Sequence, residues 1–160
     1  VIISRPCTTC WKLFSNIVFG TDFSKAADYA YRWAYNLAKE VGAKLHLFHA
    51  CDINTSAAGV VMGQEEIEHQ LKEAKAKMEA RYVSKMNGYD NYDIEVREGT
   101  PYIEILKLAR ERTGDLIVMA HHTREIDPEK AALGSTVEQV VLRSACPVAS
   151  VNHPDKVVDL

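Results

Sequence analysis

Two stretches of this 160-residue sequence bring together residue types that can hold a charged small molecule. The first is Gly20-Thr21-Asp22-Phe23-Ser24, where an apolar run ends in a carboxylate and then a serine fit to cap a helix. The second is Asp115-Leu116-Ile117-Val118-Met119-Ala120-His121-His122 with Gly134-Ser135-Thr136-Val137-Glu138 after it. An unbroken apolar run closed by polar residues reads as a buried strand. Ser135 followed three residues later by Glu138 is a capping box, in which each side chain satisfies an amide of the helix start. Between them, Thr123 to Leu133 is a polar loop with Arg124, Asp127, Pro128 and Lys130. First-turn amides lack an intrahelical partner and lie at the positive end of the helix dipole. A strand that delivers a loop to such a helix start is therefore where an open α/β sheet accepts a phosphate.

Each of these residues has a plainer reading beside the functional one. Asp22 suits a ribose hydroxyl, or a corner carboxylate that caps the first helix with Ser24. Ser135 suits a phosphate donor or an N-cap, and the two roles are compatible because capping leaves other amides open. Arg124 and Lys130 suit a triphosphate or a solvated loop. His121 and His122 suit metal ligation together with His49 or Cys51, or one crevice imidazole and one solvated imidazole. Cys7-Thr8-Thr9-Cys10 has metal or redox spacing, but a zinc site takes about four ligands and no second pair stands in the sequence. Several sites are excluded by residue type. The turn after the first strand is not Gly-x-Gly-x-x-Gly, no Walker loop is present, and no serine sits on a Gly-x-Ser-x-Gly elbow.

The elements that must position these residues alternate. Asn16 to Asp22 is the first strand, and Ser24 opens a helix to Val41 with Ala27, Ala30, Trp33 or Ala34, Leu37, Ala38 and Val41 on its inner stripe. Gly42 is its stop. Ala43 to Cys51 is the second strand and Asp52 to Gly63 a loop. A second helix runs from Gln64 to Met86 on Ile67, Leu71, Ala74 and Met78. Tyr92 to Arg97 is the third strand. Thr100-Pro101 starts a third helix that Gly114 ends. The strand at 115–122 follows, then a helix from Thr136 to Ser144 and a fifth strand, Pro147 to Val151. Strands alternating with helices predict a parallel sheet covered on both faces. Residues 1–14 read as a tail or an added edge segment, 15–153 as one domain, and 154–160 as a polar tail.

Composition narrows the function classes. Net charge is −3 and the pI near 6.1, which disfavours nucleic acid and anionic membranes as partners. No apolar run reaches a membrane span, and Val1-Ile2-Ile3 is too short for a signal h-region. Four cysteines do not form a disulfide framework, so a reducing cytoplasmic setting is expected.

Ile17-Val-Phe-Gly-Thr-Asp-Phe-Ser, Gly42-Ala-Lys-Leu-His-Leu-Phe-His, Asp115-Leu-Ile-Val-Met and Gly134-Ser-Thr-Val-Glu-Gln-Val-Val with Cys146-Pro-Val resemble the universal stress protein family over residues 15 to 151. The resemblance implies an open five-stranded parallel sheet of order 3-2-1-4-5, Rossmann-like, and a homodimer formed through the last strand. It also implies an adenine nucleotide, ATP or AMP with Mg, at the carboxyl ends of the first and fourth strands. Carried over residue by residue, the binding set is Thr21, Asp22, Ala50, Cys51, Met119, Ala120, Thr123, Gly134, Ser135 and Thr136. Two positions depart from the family pattern. Ala120 and Thr123 stand where nucleotide-binding members have glycine, and ten residues rather than nine precede Gly134. A β-branched residue strains a positive-φ position, whereas alanine adds one methyl.

The leading expectation is a regulatory domain of the stress response that binds the nucleotide through backbone amides and passes its state to a protein partner. No positioned general base is evident, so turnover is not expected. Two other readings stand beside it: a nucleotide-free dimeric interaction module of the same fold, and a metal-dependent or nucleotide hydrolase built on His121 and His122.

Overall fold

The computed structural model describes residues 2–4 as backbone, and residues 14–52, 63–121 and 136–152 with their side chains. One sheet organises them, with strands β1 (Ile2–Ser4), β2 (Asn16–Gly20), β3 (Lys44–Cys51), β4 (Tyr92–Glu98), β5 (Leu116–His121) and β6 (Val148–Asn152). The helices are α1 (Lys25–Val41), α2 (Gln64–Arg81), α3 (Pro101–Glu111) and α4 (Thr136–Arg143). The sheet order is β1-β6-β5-β2-β3-β4. The five strands from β2 to β6 are parallel and follow the expected 3-2-1-4-5 order.

The sixth strand extends that expectation. β1 runs antiparallel along the outer edge of β6, with Ile2 opposite Ser150 and Ser4 opposite Val148. An edge strand leaves a row of unpaired amides and carbonyls, and β1 covers the Val148–Ser150 part of that row.

Local signals account for most element ends. Ser24 Oγ accepts from the Ala27 amide at 3.0 Å, and Gly42 closes α1 in the left-handed region at φ 69°. Thr100 and Pro101 open α3. α2 ends at Arg81, five residues before the expected Met86, and a 3₁₀ turn at Val83–Lys85 follows. The break turns both Tyr82 and Met86 into the core, where they are 0% and 3% exposed. Val41, expected on the inner stripe of α1, is exposed, while Ala34 rather than Trp33 is fully buried.

Side chains alternate across the sheet. Ile17, Phe19, Leu45, Leu47, Leu116, Val118 and Ala120 pack with α1 and Met78 of α2 on one face. Val18, Phe48, Ile117 and Met119 pack with α3 and α4 on the other. The register is fixed at the amino end by Asp115, whose carboxylate accepts from the amides of Ser15 at 2.7 Å and Asn16 at 2.9 Å. Beside it, buried His46 bridges Asp93 at 2.7 Å and Asn16 at 3.0 Å.

Candidate functional site

β2 and β5 are neighbours in the middle of the sheet, although two strands and three helices separate them in sequence. Chain direction across the sheet reverses between them, so the connections leaving their carboxyl ends part to opposite faces. That separation opens the crevice in which open α/β sheets bind ligands.

Asp22 stands at the end of β2, exposed, and its Oδ1 accepts from the Ser24 amide at 3.0 Å. The Asp22 carboxylate thus closes a turn onto Ser24, and it is Ser24 rather than Asp22 that caps α1. Thr21 is held from behind. Its amide donates to the Phe48 carbonyl at 2.9 Å and its carbonyl accepts from His49 Nδ1 at 2.7 Å. Its hydroxyl meets Tyr82 Oη at 2.6 Å and accepts from the Phe23 amide at 3.0 Å. The Thr21 side chain therefore builds the corner that presents Asp22.

That corner is a tight aromatic knot. Phe23 is one of two non-glycine residues with positive φ among those described, at 61°. Its ring lies 4.5 Å from His49 and 6.4 Å from Tyr82, and Lys77 Nζ sits 4.3 Å from its centroid. Tyr82 packs edge-on against Phe19 at 5.5 Å, and its carbonyl accepts from Tyr31 Oη at 2.8 Å. Burial pushes the Tyr82 hydroxyl up to about 12, with the Thr21 hydrogen bond opposing the shift. Burial lowers His49, so at neutral pH it is a neutral imidazole donating from Nδ1. Arg81 grips Asp28 with two hydrogen bonds of 2.7 and 2.8 Å, tying the end of α2 to the first turn of α1.

The rest of the expected set divides between the two faces. Ala50 and Met119 lie on the face of α3 and α4, and Thr136 is half-buried at the first position of α4. Met119 closes over Gly20. A Cβ on that glycine would lie 3.6 Å from Met119 Cγ and only 2.6 Å from Ile105 Cδ1, so the bare backbone lets both side chains approach β2. Ala120 belongs to the opposite face. Its methyl is in the α1 core, 7% exposed, and its φ is negative, so alanine meets neither steric cost for which a glycine would be required. Alternation puts Cys51 on the face of His49 rather than that of Ala50, and burial raises its thiol. Thr123, Gly134 and Ser135 lie outside the described residues, as do His122, Arg124, Lys130, the Ser135–Glu138 capping box and the Cys7–Cys10 pair.

His121 ends β5 half-buried, opposite Asn152 and on the Met119 face. Among the described residues, no three histidine, cysteine or acidic side chains come together as a metal site. No helix among them is long and apolar enough to cross a membrane.

Sequence reasoning missed the Tyr82 corner, although its signal was present. The α2 stripe of Ile67, Leu71, Ala74 and Met78 continues at the same spacing to Tyr82 and Met86.

The sequence pattern of the Universal stress protein family matches residues 13–152. Two relatives from Methanocaldococcus jannaschii agree with it. Universal stress protein MJ0531 is 32% identical over 146 residues, 90% of this chain and 85% of that protein. Universal stress protein MJ0577 is 30% identical over 158 residues, 88% of this chain and 96% of that protein. A solved universal stress protein in complex with cAMP superposes with a TM-score of 0.60 at 25% identity, covering 86% of this chain and 97% of its own. Fold, switch-point crevice and sequence therefore agree, and this chain belongs to the universal stress protein family.

Proposed function

We propose that this chain is a regulatory domain that binds an adenine nucleotide in the crevice between the carboxyl ends of β2 and β5. The observation that carries the reading is Asp22. It is exposed at the end of β2, with a carboxylate positioned by the Ser24 amide and a backbone corner locked by Thr21, Tyr82 and His49. A preset acceptor suits a ribose diol, because no ordering is required when the ligand arrives. Ala50 offers a small flat surface for a purine, and the start of α4 at Thr136 supplies the positive end of a helix for phosphate. The universal stress protein solved with cAMP binds a nucleotide on the same fold. Mg would enter with the phosphates.

The proposed chemistry is binding. His49, the histidine nearest Asp22 in the corner, donates Nδ1–H to the Thr21 carbonyl and lies tilted 4.5 Å from the Phe23 ring, so it serves to hold the corner. We also propose a homodimer at the β6 side of the sheet. There a twin chain meets β1 or displaces it, because β1 already covers β6.

Titration calorimetry with ATP, AMP and cAMP, with and without Mg, tests the nucleotide reading. Saturable binding that Asp22→Ala weakens at least tenfold is expected, as for loss of a charge-assisted hydrogen bond of about 1.5–3 kcal/mol. Binding unchanged by Asp22→Ala would remove the residue on which the reading rests.

A further inference from the structure

The charges on α3 are sorted by face. Arg97 on β4 holds Glu95 at 2.9 Å, Glu111 at 2.5 Å and Glu104 at 4.0 Å, and Arg112 pairs with Glu95 at 3.2 Å. The acids of α3 are thereby gathered on its β4 side. Along the other side run Ile103, Leu106, Lys107 and Arg110, at the three-four spacing of a single helical stripe. Arg143, from the last turn of α4, lies with its guanidinium 5.5 Å from the Tyr102 ring centroid. Tyr102, Ile103, Leu106, Lys107, Arg110 and Arg143 line a groove of about 440 Å³ between the two helices. A smaller hollow of about 210 Å³ continues it past Leu106 and Arg110 to Cys146.

Half of the groove lining is apolar and half is cationic. Ile103 is 38% exposed and adjoins Tyr102 and Leu106 in the same lining, so the apolar half of the groove is a contiguous surface. Glu104 neutralises Lys107 at 2.6 Å. Arg110 and Arg143 meet no carboxylate within ion-pair distance among the described residues, although the chain as a whole carries a net charge of −3. The positive patch is therefore local, set against the overall charge by the pairing on the β4 side.

We propose that this α3–α4 groove docks an acidic amphipathic helix of a partner protein. Its apolar floor matches leucine-type side chains at i, i+3 and i+4, and Arg110 and Arg143 match carboxylates flanking that stripe. α3, at 11 residues, presents roughly 16 Å of ridge, enough for about three turns of a partner helix. Nucleic acid fits less well, because a phosphate backbone does not use an apolar floor and the chain's net charge repels it. The site is distinct from the nucleotide crevice, but α4 joins the two. It begins at Thr136, beside the crevice, and ends at Arg143 in the groove.

The test uses a fluorescein-labelled synthetic helix with leucines at i, i+3, i+4 and i+7 flanked by glutamates, titrated with the full chain and read by anisotropy. Saturable binding is expected, weakened at least tenfold by Arg110→Glu and by Arg143→Glu and weakened by raising the salt. The same helix with lysine replacing glutamate should not bind. Amide shifts on titration should map to residues 102–110 and 143. All three positions, including Ile103→Asp as a further variant, are exposed, and circular dichroism melts verify that each variant is folded. No saturation at millimolar chain, or equal binding by Arg110→Glu, would overturn the proposal. So would an oligonucleotide that binds as tightly with the same dependence on the variants. Binding that appears only after removal of residues 153–160 would also overturn it, assigning the groove to the chain's own C-terminal residues.

Discussion

Tyr82→Phe removes one oxygen from the corner that presents Asp22, and its cost can be worked from three contacts. The Tyr82 ring is fully buried and stays in place as Phe, so the packing against Phe19 and Tyr31 is retained. The 2.6 Å hydrogen bond to Thr21 is lost, a net contribution of about 0.5–1.5 kcal/mol. The Thr21 hydroxyl, 8% exposed as a residue, still accepts from Phe23 but loses its partner at Tyr82. The expected loss is about 1–2 kcal/mol, or roughly 3–6 °C in Tm for a chain of this size. Thr21→Val should cost more, about 2–3 kcal/mol. It orphans the Tyr82 hydroxyl and also takes away the acceptor for the Phe23 amide, which supports a residue at φ 61°. The double variant should cost little more than Thr21→Val alone, giving a coupling of about 1 kcal/mol in a urea-unfolding double-mutant cycle. Strict additivity, or a Tyr82→Phe cost below about 0.3 kcal/mol, would refute the reasoning that this pair locks the corner.

Three further outcomes are expected. Burial lowers His46 and His49 below the ordinary histidine value of 6.5, so below pH 6.5 the unfolded chain binds more protons than the folded one. Stability should therefore be fully present above that pH and fall as pH drops through the folded values, by at most about 1.4 kcal/mol per pH unit for each histidine. Urea midpoints should show a shallower fall for His49→Gln. Gly20→Ala drives a methyl to 2.6 Å from Ile105 Cδ1 in a packed core and should destabilise by about 1–3 kcal/mol, with Ile105→Val recovering part of the loss in thermal melts. Removing residues 1–4 strips β1 from β6 and exposes the edge at Val148–Ser150, so light scattering should show the shortened chain shifting towards larger assemblies. An unchanged mass would mean that β1 does not guard that edge.

The parts of the fold legible in the sequence were those written in local chemistry. Ser24 as a cap, Gly42 as a left-handed stop and Pro101 at the first position of α3 punctuate the helices because these signals depend on neighbouring residues alone, although the Thr100 side chain makes no cap hydrogen bond. The unbroken run of Leu116 to Ala120 marked a strand buried on both faces. β1 was legible only as a tail or an added edge, because three residues acquire strand identity solely by pairing with β6, some 146 positions away. The early end of α2 had a similar cause. Helix propensity continues to Met86, but burial of Tyr82 and its bond to Thr21 fix the break. In the candidate site, the position of Asp22 followed from its place after β2. The orientation of Ala120 needed the strand's alternation: Leu116 and Val118 already point to α1, so Ala120 does as well, and Met119 and His121 take the crevice side. Residues 123–135 carry Thr123, Gly134 and Ser135, and their part in the site rests on the sequence.

Native mass spectrometry of the purified chain, with and without Mg-ATP, tests the nucleotide reading most directly. The expected result is a complex heavier by one adenine nucleotide per chain, lost in Asp22→Ala. A chain that stays bare at millimolar ATP would contradict it, and would leave the fold as an interaction module whose crevice is closed to nucleotide.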